Sequence, residues 1–393
     1  MTTNATSLFK PFSLGKLQLP TRIVMAPMTR SFSPEGIPGD DVAAYYGRRA
    51  AQDLGLIITE GTAVNRDAAR NDPKVPVFHG EEALAGWKKT VEAAHAHGCP
   101  IWPQLWHVGA LPNPTISWRP SSPFESPSGA YKPSRSNGKA MSESDVRDCI
   151  EAFAKAARDA MDIGFDGVEI HGAHGYLIDQ FFWDGSNHRD DHYGGENIAQ
   201  RSRFAAEVII AIRMATSSDF PICIRLSQWK QQDFAAKLAP TPEAMEAWLR
   251  PLVDAGADVL HCSQRRFWEA EFEGSDLNFA AWARKLTGKP VITVGSVGLS
   301  GEFIAAFRGE ASQPASLDTL MERFERGDFD LVAVGRALIT DPAWASKVKA
   351  GQWASLAAFD PVRDQIAVLD RYGVEVGQFV VQHDAVDGQA GAI

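Results

Sequence analysis

Two histidines and a tyrosine that could do chemistry lie close together in the segment FDGVEIHGAHGYLIDQFFW, residues 165–183. The apolar residues 165–170 predict a buried strand, and His171, His174 and Tyr176 follow its carboxyl end among two glycines. Ligands of α/β proteins bind beyond the carboxyl ends of strands, because those ends are rigid while the loops vary. On spacing alone, His-x-x-His fits a hydrogen-bonded structural pair or a metal site better than a substrate site. The choice depends on what the rest of the chain places beside this segment.

Composition and charge indicate an acidic protein without signs of secretion. The 393 residues include 39 Lys and Arg against 49 Asp and Glu, and the net charge of −10 disfavours nucleic acid or an acidic membrane as a partner. The four cysteines are far apart and form no CxxC pair, so a reducing compartment is expected. Neither a signal peptide nor an apolar run of about 18 residues occurs. We expect a cytoplasmic protein.

Eight short apolar runs alternate with stretches long enough for a helix. The runs are apolar on both faces, as strands of a parallel sheet covered by helices must be. Between them, apolar residues recur at helical spacing, as in Val146, Ile150, Phe153 and Ala157. A doubly wound open sheet is the alternative, but no GxGxxG motif follows a strand. We therefore predict a single α/β domain over residues 1–393, a (β/α)8 TIM barrel. The predicted strands are residues 22–26, 54–61, 100–106, 165–170, 221–226, 257–262, 290–295 and 330–335.

Three further segments accompany the predicted barrel. Residues 1–20 contain LGKLQLP and predict a hairpin around Gly15 that plugs one barrel end. Residues 108–140, a long loop after the third strand, are rich in proline and serine, which suits either a disordered linker or an ordered lid over the barrel mouth. Residues 350–393 form a tail whose apolar residues Trp353, Leu356, Phe359, Ile366 and Leu369 predict a packed helix before a frayed end.

Charged and amide side chains at other strand ends predict a ligand site on the same face. Gly295 and Arg336 follow the seventh and eighth strands, whose loops in such barrels commonly bind phosphate. Arg225 ends the fifth strand, where it forms either a buried ion pair or a support for developing negative charge. The amide of Gln104 forms hydrogen bonds either with the polar edge of a ligand's ring or with the protein backbone. All of these residues are expected to converge with the histidines at the carboxyl end of the barrel.

Motifs follow one another at these strand ends: APMTR (26–30), TEG (59–61), QLWHVG (104–109), HGAHGYLIDQFF (171–182), NxRxDxYGG (187–195), IRLS (224–227) and VGR (334–336). This series resembles the Old Yellow Enzyme family of flavin-dependent ene-reductases. The resemblance covers about residues 8–345, and the order of the motifs is far more specific than any one of them. Because Thr29 follows Pro-Met, the chain is more similar to xenobiotic reductases and oxophytodienoate reductases than to members with cysteine at this place.

The resemblance implies that the barrel binds FMN non-covalently across its carboxyl face, with NADPH or NADH as the reductant. By matching motif, Thr29 would hydrogen-bond the flavin C4 carbonyl, Arg225 would lie near N1 and the C2 carbonyl, and Gln104 would contact the ring system. The residues implied for the cofactor are Ala26, Pro27, Met28, Thr29, Gly61, Gln104 and Arg225 around the ring, and Gly295, Ser296, Val297, Gly335 and Arg336 around the phosphate.

The resemblance also implies reduction of activated C=C bonds in α,β-unsaturated carbonyl compounds, with nitro compounds and nitrate esters as further substrates. His171 and His174 would bind the carbonyl oxygen, and Tyr176 would donate a proton to the α-carbon. The partners are then small molecules, and we expect a monomer or a homodimer without a metal ion. The aromatic residues that would either form the pocket walls or pack in the core are Trp106, Phe267 and Trp268.

Two alternative functions remain open from the sequence. In the first, His171 and His174 are ligands of a metal-dependent barrel hydrolase or aldolase, although no third suitable ligand follows a neighbouring strand. In the second, the barrel binds flavin as a sensor of ligands or redox state, without turnover.

Overall fold

The computed structural model describes residues 3–114, 116–301, 309–361 and 364, and its centre is a closed barrel of eight parallel strands. Each strand pairs with the next one along the chain, and the eighth pairs with the first. This arrangement confirms the predicted (β/α)8 TIM barrel. The strands are β1 (Ile23–Met25), β2 (Leu56–Ala63), β3 (Ile101–Trp106), β4 (Val168–His174), β5 (Ile222–Lys230), β6 (Val259–Ser263), β7 (Val291–Val294) and β8 (Leu331–Val334).

Both faces of the strands are buried, which is why their sequences are continuously apolar. Successive side chains point to opposite faces. Leu56 and Ile58 of β2 and Trp102 of β3 therefore share one buried cluster inside the barrel, whereas Ile57 and Ile101 belong to a second cluster that includes the helices.

A hairpin closes the amino end of the barrel. Its strands, Phe12–Leu14 and Leu17–Leu19, pair antiparallel around Gly15, whose φ of +58° is a conformation that glycine adopts readily. Leu14 and Leu19 are buried in the same cluster as the interior strand residues. The hairpin thus packs against the barrel interior, in agreement with the predicted plug.

Helices cover the outside of the barrel, and the helix Glu143–Asp162 shows why they form. Ser142 and Asp145 make a capping box, in which each side chain accepts a hydrogen bond from the other residue's backbone N–H. Val146 and Phe153 lie on the buried face that the apolar spacing predicted. The other helices are Asp40–Ala50, Glu81–His95, Leu177–Phe182, Ile198–Arg201, Arg203–Ala215, Pro242–Asp254, Phe279–Thr287, Asp318–Arg326, Arg336–Thr340 and Trp344–Lys349, with short 3₁₀ helices at Thr6–Phe9, Pro34–Gly36 and Trp353–Ser355.

The long loop after β3 is ordered by internal pairing and by contacts with neighbouring loops. Glu125 in this loop accepts hydrogen bonds from Arg66 at 2.7 and 2.9 Å and lies 3.1 Å from Nε2 of His107. Tyr131 O accepts a hydrogen bond of 2.8 Å from Gln232, which follows β5. The loop therefore contacts the segments that follow β2 and β5, which favours an ordered loop over a disordered linker. Its role as a lid stays a prediction. Its short strands are Glu125–Ser126 with Lys139–Ala140, and Ala130–Lys132 with Arg135–Ser136.

The tail is described only in its first part. Phe359 forms an isolated bridge with Ser312, next to the loop after β7. The predicted helix is wrong over residues 353–359, where a 3₁₀ turn, Trp353–Ser355, is followed by irregular backbone. Its predicted part around Ile366 and Leu369 lies outside the described residues. In the described part of the chain, no helix has both the length and the apolar composition needed to cross a membrane.

Candidate active site

The first histidine lies within a barrel strand rather than in a loop. β4 continues through His171 to His174, and β5 continues past Arg225 to Lys230. His171 and Arg225 are register partners, so the two backbones remain paired where the side chains become polar. The prediction that the chain turns away after residue 170, and that Arg225 ends its strand, is therefore wrong. Pairing with the neighbouring strand outweighs the local composition.

His174 ends β4 in a strained and well-supported conformation. Its φ of +64° is uncommon for a residue other than glycine. The backbone N–H donates to Ser227 Oγ at 2.9 Å, and Nε2 lies 2.8 Å from Ser263 Oγ. The ring stacks on Trp229 with 4.7 Å between centroids. These contacts fix the imidazole at the carboxyl end of the barrel.

Tyr176 and Trp106 complete an aromatic cluster with the two histidines. The His171 ring lies 5.3 Å from the His174 ring and 4.9 Å from the Tyr176 ring, in both cases edge to face. Trp106 contacts Tyr176 at 4.9 Å and His171 at 6.5 Å. The structure thus brings together the three residues that the sequence singled out first.

The electrostatic environment keeps both histidines neutral and keeps the tyrosine protonated. Burial lowers the pKa of His171 and of His174 well below the ordinary value, and the charge of Arg225 lowers both further. Burial also raises the pKa of Tyr176, although a hydrogen bond with Gln231 opposes this. At neutral pH the cluster therefore offers imidazole N–H groups and a phenol O–H, without a charge of its own.

A buried ion pair holds the turn between His174 and Tyr176. Asp179 accepts a hydrogen bond of 2.6 Å from Gly175 N on one oxygen, and Lys230 Nζ lies 2.6 Å from the other oxygen. Both side chains are fully buried. Burial raises the pKa of Asp179 and lowers that of Lys230, while their mutual attraction opposes both shifts. The ion pair therefore connects the turn at Gly175 with Lys230 at the end of β5.

Arg225 and Gln104 lie in the barrel interior with a buried carboxylate between their strands. Gln104 Nε2 donates to Glu169 Oε1 at 2.8 Å, and Nδ1 of His261 lies 2.6 Å from Glu169 Oε2. Arg225 Nη2 lies 3.5 Å from Ser263 Oγ, and its buried Nε has no hydrogen-bond partner in the described part of the chain. The site therefore contains a buried cation with an unused donor.

Residues 26–29 follow β1 at the same end of the barrel, and an ion pair supports them. Ala26 N donates to Val334 O of β8 at 2.9 Å, whereas Thr29 is exposed. Arg30 donates to Glu60 from its backbone N and from Nε, at 3.0 Å each, and both side chains are buried. This contact fixes the segment against β2, where a Cβ on Gly61 would come within 3.2 Å of the Trp106 ring.

Hydrogen bonds connect the loop after β7 with the helix after β8, at the place where the sequence predicts the phosphate site. Gly295 has a φ of +150°, and a Cβ there would lie 2.6 Å from Gln264 O, so only glycine fits. Ser296 Oγ is 3.1 Å from Gly301 O, and Arg336 Nη2 donates to that same oxygen at 2.6 Å. Val297 is buried, and Gly335 immediately precedes the helix.

Phe267 and Trp268 lie on the loop after β6, beside the loop after β7. Phe267 N donates to Gly295 O at 3.1 Å, and its buried ring contacts Trp268 at 5.1 Å. Trp268 is 36% exposed, and its carbonyl accepts a hydrogen bond from Arg323. Their role as pocket walls stays a prediction.

Sequence reasoning missed several residues that support the site. Trp229 lies beyond the predicted end of β5, so a correct strand boundary would have found it. Glu169 and His261 had a visible signal, since each is a polar residue inside an apolar run. Among the described residues, no group of three His, Cys, Asp or Glu side chains could hold a metal ion, which gives the metal-dependent alternative no support.

The fold and the site together define a parallel (β/α)8 barrel with polar and aromatic side chains gathered at the carboxyl ends of its strands, where barrels of this kind bind their ligands. A family model described as NADH:flavin oxidoreductase / NADH oxidase matches residues 7–354. The chain belongs to this family and is an oxidoreductase of the Old Yellow Enzyme type, which confirms the resemblance.

Known proteins are similar over most of their length. The chain is 32% identical over 362 residues to 12-oxophytodienoate reductase 7 of Oryza sativa subsp. japonica, covering 85% of this chain and 86% of the relative. Morphinone reductase in complex with tetrahydroNAD has a TM-score of 0.75 and 29% identity, covering 91% of this chain and 94% of that one. The Old Yellow Enzyme homologue of Zymomonas mobilis has a TM-score of 0.74 and 25% identity, covering 91% and 96%.

Proposed function

We propose that this barrel uses FMN and NADPH or NADH to reduce activated C=C bonds of α,β-unsaturated carbonyl compounds, with nitro compounds and nitrate esters as further substrates. The observation that carries the proposal is the contact of His171, His174 and Tyr176 at one point of the carboxyl face, close to the charge of Arg225. The relatives named as reductases agree with the reaction type, and the tetrahydroNAD complex of morphinone reductase agrees with a nicotinamide reductant.

The residues present fit FMN. Arg225 offers a buried donor without a partner among the described residues. Gly295 lets the loop after β7 pass close to the backbone of Gln264, where a Cβ would lie 2.6 Å from the carbonyl oxygen. FMN, when bound, carries a hydride from the nicotinamide to the substrate. We assign the ring system to Ala26, Pro27, Met28, Thr29, Gly61, Gln104 and Arg225, and the phosphate to Gly295, Ser296, Val297, Gly335 and Arg336.

In this proposal, the histidines bind and polarise the substrate's carbonyl oxygen. Nδ1 of His171 lies 3.4 Å from the N–H of Ala173, which leaves its Nε2–H free to donate. His174 is held by Ser227 and Ser263, so its orientation is set before the substrate arrives. Neutral N–H donors stabilise the negative charge that develops on the oxygen when the β-carbon accepts hydride.

Tyr176 then supplies the proton that the α-carbon needs. Its raised pKa keeps the phenol protonated at neutral pH, so it acts as an acid rather than as a base. Trp106 holds the ring edge to face, which restricts the directions in which the hydroxyl can point. We assign Trp106, Trp229, Phe267 and Trp268 to the walls of the substrate pocket.

The test is the behaviour of the purified protein in two separate half-reactions. We expect a yellow protein whose flavin is bleached by NADPH or NADH and recovers its colour when 2-cyclohexen-1-one is added without oxygen. A colourless protein that does not take up FMN would overturn the proposal. Bound FMN that no enone, nitroalkene or nitrate ester reoxidises would instead favour a flavin-binding sensor.

A further inference from the structure

Glu169 is a fully buried carboxylate that contacts three side chains from three other barrel strands. It accepts from Gln104 Nε2 at 2.8 Å, lies 2.6 Å from Nδ1 of His261, and lies 3.4 Å from the thiol of Cys223. Neither Glu169 nor His261 takes part in the reaction proposed above. Burial of a carboxylate in the centre of a barrel costs free energy, so we expect this group to have a role.

The ionisation of this group is set by its neighbours. Burial by itself would raise the pKa of Glu169, but His261 and Arg225 outweigh it, and the pKa lies below the ordinary value. Burial lowers the pKa of His261, so this imidazole is neutral and carries its single proton on the nitrogen that faces Glu169. An ionised carboxylate only accepts hydrogen bonds.

This restriction decides which way the amide of Gln104 points. Because Glu169 cannot donate, Gln104 must turn its NH₂ group toward it, and the carbonyl oxygen then faces the other way. That oxygen points toward Gly61, where a Cβ would lie 3.4 Å from it. Among the residues that the structure describes, no donor occupies it.

We propose that Glu169 and His261 are positioning residues that lock the amide of Gln104 with its oxygen toward the cofactor. The site then requires an N–H on the edge of the cofactor's ring. The inference rests on the proposed function, because the matching group is the N3–H of FMN. Arg225, which only donates, offers the complementary contact to a ring carbonyl. Together the two side chains distinguish an imide edge from a ring edge that lacks N–H.

The measurement is the ionisation of N3–H in bound FMN, followed by visible absorbance during an alkaline titration. A locked acceptor favours the protonated form, whereas the charge of Arg225 favours ionisation and is the same in wild type and variants, so each variant is compared with the wild-type complex. In Glu169→Gln the amide of Gln104 can turn its NH₂ group inward, and we expect the constant to rise at least about tenfold.

Removal of the negative charge also favours N3 ionisation, and a double-mutant cycle separates this effect from the lock. In the Gln104→Met background, Glu169→Gln retains only the charge effect, so we expect a clearly smaller rise. Cys223→Ala removes another contact of the same carboxylate and should leave the constant unchanged. An equal rise in both backgrounds would overturn the inference.

A charge-neutral variant provides a second route if Glu169→Gln does not fold. Gln104→Met removes the acceptor oxygen and leaves the carboxylate of Glu169 in place, so it should raise the N3 ionisation constant. If Gln104→Met leaves the constant at the wild-type value, the lock is refuted while the proposed function stands. Failure of the wild-type protein to bind FMN would refute the proposed function itself.

Discussion

Tyr176→Phe removes one hydroxyl and leaves the aromatic packing in place. The phenylalanine ring can keep the contacts of 4.9 Å with Trp106 and with His171. The structural loss is the hydrogen bond with Gln231, which contributes about 1 kcal/mol to the free energy of unfolding. The catalytic loss is that of a general acid, about 100- to 1,000-fold, or about 2.7 to 4 kcal/mol of transition-state stabilisation.

The assay is stopped-flow measurement of the two half-reactions with the same enzyme preparation. We expect reduction of the bound flavin by NADPH or NADH to stay within about threefold of wild type, because Tyr176 is not needed there. Oxidation of the reduced enzyme by 2-cyclohexen-1-one should slow by about 100- to 1,000-fold. Tyr193→Phe is the matched control, since the Tyr193 hydroxyl bonds Glu207 at 2.9 Å, outside the site.

Equal losses in both half-reactions of Tyr176→Phe would show that the substitution damages flavin binding rather than proton donation. An unchanged oxidative half-reaction would assign the proton to solvent or to another residue. Either result would refute the role given to this phenol.

Three further predictions concern buried ionisable groups. Arg225→Met should slow flavin reduction at least about tenfold and lower the flavin's reduction potential, because the cation that supports negative charge on the ring is lost; spectroelectrochemistry measures this. Asp179→Asn should lower the free energy of unfolding by about 3–5 kcal/mol, since the ammonium of Lys230 is left buried and unpaired. Replacing Asp179 by Leu together with Lys230 by Met should lower it by less. Urea unfolding of the two variants and wild type measures these differences. Because His171 and His174 have depressed pKa values in the folded state, the unfolded state binds more protons below about pH 6.5, so Tm should fall as pH decreases from 7 to 5. His174→Asn should make that pH dependence shallower, and an unchanged slope would contradict the assignment.

The barrel could be predicted from the sequence because its strands are buried on both faces and are therefore apolar throughout. The strand ends were harder to place. At His171 and Arg225 the composition turns polar, yet the two strands remain in register, and only the neighbouring backbone reveals this. A single sequence contains the side-chain pattern but not the hydrogen-bonding partner that keeps a polar residue extended.

The residues of the candidate site also differ in how far the sequence predicts their proximity. His171, His174 and Tyr176 are close in sequence, so their proximity in space could be expected. The ion pair of Asp179 with Lys230 joins residues 51 positions apart, and no local pattern predicts it. Long-range pairs of this kind depend on how the barrel closes, which composition and spacing do not specify.

Closure of the barrel also determines when the chain can finish folding. The last strand, β8, pairs with the first, and Arg22 Nη1 donates to Asp330 O across 308 positions of sequence. Until residues 331–334 leave the ribosome, β1 and β7 each retain an unpaired edge, and Leu14 and Leu19 lack part of the cluster that buries them. A nascent chain of this protein therefore retains the unpaired edge of β1 for most of its synthesis, and this edge is open to aggregation until the final strand arrives.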